Sequence, residues 1–447
     1  MKKIYLSLPL AIGMFSSLQA DSLSDAFANA KVSGQIRTFY IDRAWNESGT
    51  PAYGKIDNSA IATGGHLKIE TAPIEGVSLG TAFYTTQGMG LNNDDTTKVN
   101  NTLLGDGLSS YSILGEAYLK YSKDKTSVTI GRQKIDTPLA GSDDARMLPN
   151  LFEGVVASNS DIKDTTIIAG HITKMAAGTF SNAYDAPVAK TTTGAGALAL
   201  HSGYGLNDTS GRFMDMGEYA VGADTKGVSA LAFINTSVPN LKLQAWDYYA
   251  HDILNALYLQ ADYKIPSSSA LKPSLSAQYI KESDIGDKIA GEVDSNYYGV
   301  KAGVAYNNLT ADVAYSSTGS SAGTTNGGII SPWGGSPSFT QGMVTRHSFF
   351  ANTDAYKLSA GYNLKDDLGI NLTPSAYFAS YDIGKENAYS NGNEWTAKEK
   401  GFDIKYNPAS IKNLELKLRG NFTDKFHATS TKDLGWDEYR VIANYNF

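Results

Sequence analysis

Three carboxylates and one guanidinium, those of Asp136, Asp143, Asp144 and Arg146, lie close together in the stretch GRQKIDTPLAGSDDARMLPNLFEG (131–154). Pro138 lacks the N–H that a β-ladder needs, and Gly141 with Pro149 permits chain reversals, so the charges belong to a loop between strands. Charges placed this way can meet a passing solute, or Asp143 and Arg146 can pair to hold the loop in shape. Other candidate chemistry is thin. GSSAG (319–323) matches G-x-S-x-G, yet it lies in a Gly/Ser/Thr-rich stretch without the strand–turn–helix context of a nucleophile elbow. His66, His171, His201, His251, His347 and His427 show no metal-ligand spacing. The carboxylates of NNDD (92–95) read as solvated loop-tip residues rather than as a Ca2+ site. No catalytic residue, metal or cofactor is expected.

The elements that must hold this loop are strands. The chain has 447 residues with 44 Gly, 27 Tyr and no Cys, carries a formal charge of -7, and contains no linker of biased composition. An acidic balance argues against nucleic acid, whose phosphates call for a basic face. Without Cys, disulfides contribute nothing to stability. Residues 1–20 open on Lys2 and Lys3, run through an apolar stretch from Ile4 to Phe15 and end in Ala20, the pattern of a secretory signal peptide. Residues 21–447 then form one unit. The early apolar run is too short to cross a membrane as a helix, and after it the longest stretch free of polar residues and Gly is Ala230 to Ile234.

Alternation with a period of two fills the rest. In 77–84, Val77, Leu79, Thr81 and Phe83 share one face; in 115–122, Ala117, Leu119 and Tyr121 oppose Glu116, Tyr118 and Lys120. In 255–263, Leu257, Leu259, Ala261 and Tyr263 oppose Tyr258, Gln260 and Asp262. Residues 298–306 and 309–316 flank the Asn307–Asn308 turn as a hairpin whose apolar face is closed by tyrosines at both ends, as at a membrane interface. Tight turns (TAPIEG 71–76, KDKT 123–126, VPN 238–240, NN 307–308) alternate with long polar loops (85–110 and 317–345), which a membrane barrel does and a soluble sandwich need not. The terminal EYRVIANYNF puts Tyr439, Val441, Ala443, Tyr445 and Phe447 on one face, and its final aromatic, Phe447, resembles the signal by which outer-membrane barrels are recognised for assembly.

Here a family resemblance enters. GRQKIDTPLAGSDDARMLPNLFEG and SPWGGSPSFTQG (331–342) resemble segments of the OprD-type outer-membrane porins, and SLSDAFANAKVSGQIRTFY (22–40) and the terminal strand fit the same family. The resemblance implies an all-β fold, a transmembrane antiparallel barrel of eighteen strands with short periplasmic turns and long external loops, in the outer membrane of a Gram-negative bacterium. It implies that the 136–150 loop folds into the pore and narrows it, with Asp136, Asp143, Asp144 and Arg146 as constriction residues. It further implies passive diffusion of small hydrophilic solutes and ions, guided by a basic ladder that favours carboxylate-bearing solutes such as amino acids or peptides.

Strand parity assigns Arg37, Lys68, Lys120, Lys301, Lys357, Lys405, Lys417, Arg419 and Arg440 to the lumen, with Glu70, Glu116, Asp262, Asp312, Asp403 and Glu415 as acidic wall charges. The loop alone carries two more carboxylates than cations, which predicts a preference for cations. Expected partners are outer-membrane lipid, the permeating solutes and the outer-membrane assembly machinery, in a monomer or homotrimer without nucleic acid. Two rivals stand beside the channel: a lipase-like barrel enzyme and an adhesin barrel with a plugged bore. The enzyme would need a Ser and a His on neighbouring outward-facing strand positions, and the sequence displays no such pair.

Overall fold

The computed structural model describes residues 21–46, 56–184, 194–203, 211–390, 392–429 and 432–447; the signal peptide expected over 1–20 lies outside them. The first strands are β1 (Lys31–Trp45), β2 (Asn58–Glu70), β3 (Val77–Gln87), β4 (Tyr111–Lys123), β5 (Thr126–Gln133), β6 (Leu151–Asn159), β7 (Thr165–Ala176), β8 (Met214–Asp215) and β9 (Val228–Asn235). They are followed by β10 (Leu241–Ala250), β11 (Leu254–Lys264), β12 (Leu271–Asp284), β13 (Asp294–Tyr306) and β14 (Leu309–Thr318). The last are β15 (Thr353–Tyr362), β16 (Leu372–Ile383), β17 (Trp395–Tyr406), β18 (Leu414–Thr429) and β19 (Lys432–Asn446).

Each strand pairs antiparallel with its chain neighbour, except that β7 passes its ladder on to β9 while the two-residue β8 joins only the far end of β7. β1 pairs with both β2 and β19, so the sheet closes on itself as an eighteen-stranded barrel with one extra strand. Closure follows from the solvent: in hydrocarbon every ladder N–H and C=O needs a partner, and a closed sheet has no edge. Phe447 completes the seam, exchanging backbone hydrogen bonds of 3.0 and 2.9 Å with Gly34.

The outer face is apolar as the alternation requires. Leu79, Phe83, Leu119, Leu257, Leu259, Val300, Val313, Leu416 and Leu418 are exposed there, while their strand neighbours face inward. Tyr263, Tyr306, Tyr362 and Tyr406 form an exposed row near the rim of tight turns, and Tyr249, Tyr279, Tyr298 and Tyr439 lie towards the other end, two girdles at the two interfaces. Among the described residues no helix is long and apolar enough to cross a membrane; the strands make the crossing.

The long connections on the other rim turn inward. A short helix α1 (Leu23–Ala28) precedes the barrel; inside it, Leu139 of the 134–150 loop, Leu200 of α2 (Ala195–Ser202), Met216 and Tyr219 of α3 (Met216–Val221) and Trp333 pack with the wall residues Trp246, Tyr248 and Tyr258 into one core cluster. A barrel this wide leaves room inside that side chains alone do not fill, so the loops supply the interior packing.

Candidate constriction site

The 134–150 loop leaves the wall at β5 and returns at β6. Its base is tied by Asp136, whose carboxylate accepts the N–H (2.8 Å) and Oγ–H (2.6 Å) of Ser142. The Leu139 N–H reaches the Tyr248 hydroxyl of β10 (3.4 Å). A second loop, 319–352, meets it inside the bore: the Gly141 N–H donates to Trp333 O at 2.9 Å. A Cβ on Gly335 would lie 2.3 Å from the backbone of Pro138 and Leu139, so only glycine allows that approach. The WGG of SPWGGSPSFTQG is therefore a docking element.

Asp136, Asp143, Asp144 and Arg146 all find partners, though not one another. Asp143 takes Arg346 in a bidentate pair at 2.8 and 2.8 Å, with Asp143 held at a left-handed φ of 40°. Asp144 pairs with Arg37 at 2.6 Å. Arg146 pairs with Glu438 at 3.1 Å, donates to Thr102 Oγ1 at 3.1 Å, and stacks over Phe180 at 5.1 Å. The Asp143–Arg146 pair, one of the two alternatives for these charges, is replaced by three longer-range pairs that pin the loop to β1, β19 and the second loop. Glu438 is fully buried and also binds Arg43 (2.6 Å) and Arg440 (2.5 Å). One carboxylate serving three guanidiniums offsets the desolvation that a buried ion would otherwise suffer. Desolvation alone would raise the Asp144 carboxyl; Arg37, then Lys134 and His66, hold it below the ordinary carboxylate value.

Every wall charge assigned by parity occupies an inward-facing strand position, and the structure sorts them by partner. Lys68 pairs with Glu116 (2.6 Å), which also accepts the Tyr84 hydroxyl (2.8 Å). Lys120 pairs with Glu70 (3.4 Å), Lys417 with Glu415 (2.7 Å), and Arg419 Nε with Asp403 (2.9 Å). Arg37 and Arg440 join the buried network described above. Asp262 accepts hydrogen bonds from Ser276 and Gln260, each at 2.7 Å. Lys301 lies 4.7 Å over the Phe339 ring, and Lys357 donates to Gln341 O at 2.6 Å. Among the described residues neither lysine has a carboxylate within 4.0 Å, and Lys405 and Asp312 form neither ion pairs nor hydrogen bonds.

Several residues of the site escape the sequence reading. Glu438 and Glu399 share the parity of Arg440 and Asp403 and were legible on that ground. Glu399 accepts the Met343 (2.7 Å) and Thr345 (2.6 Å) N–H groups, so the tip of the second loop hangs on a wall carboxylate. Buried Glu282 does the same for the Ile330 N–H (2.8 Å). Arg43 lies on β1 with inward parity, whereas Arg346 and Lys134 sit in loops where no period marks them.

A closed barrel with an apolar outer band, aromatic girdles and loops folded into its bore defines an outer-membrane channel. The family model described as "outer membrane porin, OprD family" matches residues 25–447, and the chain belongs to that family. Among solved structures, OccK9 (OpdG) of Pseudomonas aeruginosa matches with a TM-score of 0.75 at 18% identity, covering 94% of this chain and 99% of that one. P. aeruginosa OpdK with vanillate gives 0.74 at 16% identity, covering 94% and 99%. P. aeruginosa OccK2 (OpdF) in complex with glucuronate gives 0.72 at 15%, covering 94% and 98%. A search of curated proteins finds no match.

Proposed function

We propose that this porin passes small carboxylate-bearing solutes in preference to neutral and cationic ones. One observation carries the reading. Nearly every carboxylate in the bore already has a cation or an N–H/O–H donor, whereas the ammonium groups of Lys134, Lys301, Lys357 and Lys405 have no carboxylate within 4.0 Å among the described residues. Asp136, Asp143, Asp144 and Arg146 act as the frame of the constriction, and the unpaired lysines supply the field that a solute meets. The mechanism is geometric and electrostatic: crossed loops narrow the water column, and fixed charges orient the solute without chemistry. Vanillate and glucuronate, found with two neighbours, both carry a carboxylate, which favours the same class here. Phe447, at the seam where the barrel closes, serves as the assembly signal.

Liposome swelling tests the preference. Vesicles holding the purified protein should admit benzoate several-fold faster than benzamide, since a unit charge ~4 Å away is worth about 1 kcal/mol even at water-like dielectric. Equal rates for the two, with swelling intact, would remove the carboxylate preference and leave an unselective pore.

A further inference from the structure

Outside the bore, on the lipid-facing surface near the long-loop rim, four side chains converge that the channel does not use. His171 of β7 and Ser229 of β9 are direct cross-strand partners, and Tyr249 of β10 is the partner of Ser229 on its other side. The alternate residues Ile168, Val228, Ala232 and Tyr248 are buried in the core. His171, Ser229 and Tyr249 therefore point outward, beside exposed Leu231 and Phe233. Ser229 Oγ lies 2.9 Å from His171 Nδ1 and 3.2 Å from His251 Nε2. His251 follows β10, its N–H donates to Gly227 O at 3.0 Å, and the Tyr249 ring meets its imidazole edge-on at 4.8 Å. The two imidazoles stand 5.8 Å apart at 85°. In sequence 58 residues separate His171 from Ser229, because β7 and β9 are joined through the long 177–227 connection, so no local pattern announces the pair.

We propose that this outward-facing cluster is an acyl-transfer site that hydrolyses fatty acyl esters of membrane lipids, alongside the channel. A hydroxyl held between two imidazoles donates its single proton to one and accepts an N–H from the other. His251 Nε2 takes the Ser229 proton as Oγ bonds to the acyl carbonyl carbon. The His171 Nδ1–H, released as Oγ moves, donates to the oxyanion. The tetrahedral adduct collapses by breaking the ester C–O bond, and the departing alcohol leaves with the proton from His251. Water, deprotonated by His251, then attacks the acyl-serine; the carbonyl carbon–Oγ bond breaks as His251 returns the proton to Ser229 Oγ, the fatty acid leaves, and ester and water have become acid and alcohol. The depth suits the substrate: outward tyrosines such as Tyr249 mark the headgroup–acyl boundary, where ester bonds lie, and Leu231 and Phe233 continue into the apolar layer.

The test uses the purified full-length barrel in detergent micelles with an alkyl fluorophosphonate, which phosphonylates an activated serine. The wild type should label and Ser229→Ala should not. Replacing either histidine by Ala should slow labelling by about 100-fold or more. All three variants should keep the wild-type single-channel conductance, since none of these residues faces the bore, and that readout separates a lost site from a lost fold and from failure of the channel reading. Fatty acid released from phosphatidylethanolamine vesicles, or instead from vesicles doped with a long-chain acyl glucoside, would name the lipid class. Absence of labelling in a conducting wild type, or labelling that persists in Ser229→Ala, would overturn the proposal.

Discussion

The two halves of the bore wall grip the loops by different means. On the side of β1 to β4 and β17 to β19 the inward positions are ionic: Arg43, Arg146 and Arg440 share Glu438, Arg37 holds Asp144, and Lys68 holds Glu116. On the side of β10 to β13 the loops are held mainly by neutral groups, with Glu282 on the Ile330 N–H as the exception. Gln278 Nε2 donates to the Tyr258 hydroxyl (3.1 Å) and to Pro337 O (2.7 Å), and the Tyr297 hydroxyl meets Ser338 Oγ at 3.0 Å. The difference teaches that charge in the bore does two jobs. Where carboxylates and guanidiniums are matched and buried they fix loop position, and the solute sees little of them. On the proposed reading the unmatched lysines of β13, β15 and β17 then dominate the field.

The largest effect should come from breaking the ionic half. Glu438→Ala removes the carboxylate that Arg43, Arg146 and Arg440 share, and breaking a buried pair from one side costs about 3–5 kcal/mol. Urea unfolding in lipid vesicles should show it, together with larger and noisier conductance as the 134–150 loop loses its anchor. Next comes the outer wall: Leu416→Arg puts a charge in the lipid band and should cost about 2–4 kcal/mol in the same assay. Its inward neighbour Lys417→Ala should cost less than about 1 kcal/mol, because it gives up only a half-wetted pair with Glu415. Equal losses would overturn the assignment of faces.

A pH test probes the inner packing. His201 of α2 is fully buried, and burial lowers its pKa from the ordinary 6.5 to about 4 while its Nδ1 meets Ile329 O at 2.7 Å. Folding thus favours the neutral ring, so its contribution is complete above pH 6.5 and is lost progressively as pH falls towards 4, by roughly 3 kcal/mol in all. Hydrogen exchange at 195–203 and 328–331 should quicken from pH 7 to 4, and His201→Phe should flatten that dependence. The neutral half gives a small effect: Tyr297→Phe, which gives up the hydroxyl's bond to Ser338 Oγ, should cost about 1 kcal/mol, well below Glu438→Ala.

How far the sequence could be read follows the same division. Period-two alternation exposes which side of the wall a residue faces, because lipid and water impose opposite demands on successive side chains. Lys68, Glu116, Lys417 and Arg419 were placed on that basis, and Glu399 and Glu438 could have been. The 136–150 loop is visible through Pro138, Gly141 and its charges, and its candidate role through the family resemblance. Its partners are not: Arg346 lies in a loop, Arg146 meets a residue 292 positions away, and long-range pairing leaves no period. The loop's own charges led to an expected preference for cations, and their pairing with Arg37 and Arg346 is the ground on which the proposed function departs from it. The His171–Ser229 contact stayed hidden behind the inserted 177–227 connection.

Reversal potentials across a planar bilayer, in a dilute potassium chloride gradient so that screening does not mask fixed charges, test the central claim most directly. The pairing scheme predicts a wild-type channel that favours chloride, and a Lys301→Gln, Lys357→Gln double variant that loses several-fold of that preference while Asp143→Asn alone moves it less. A wild-type channel that favours potassium, with a reversal potential unmoved by loss of the two lysines, would contradict it.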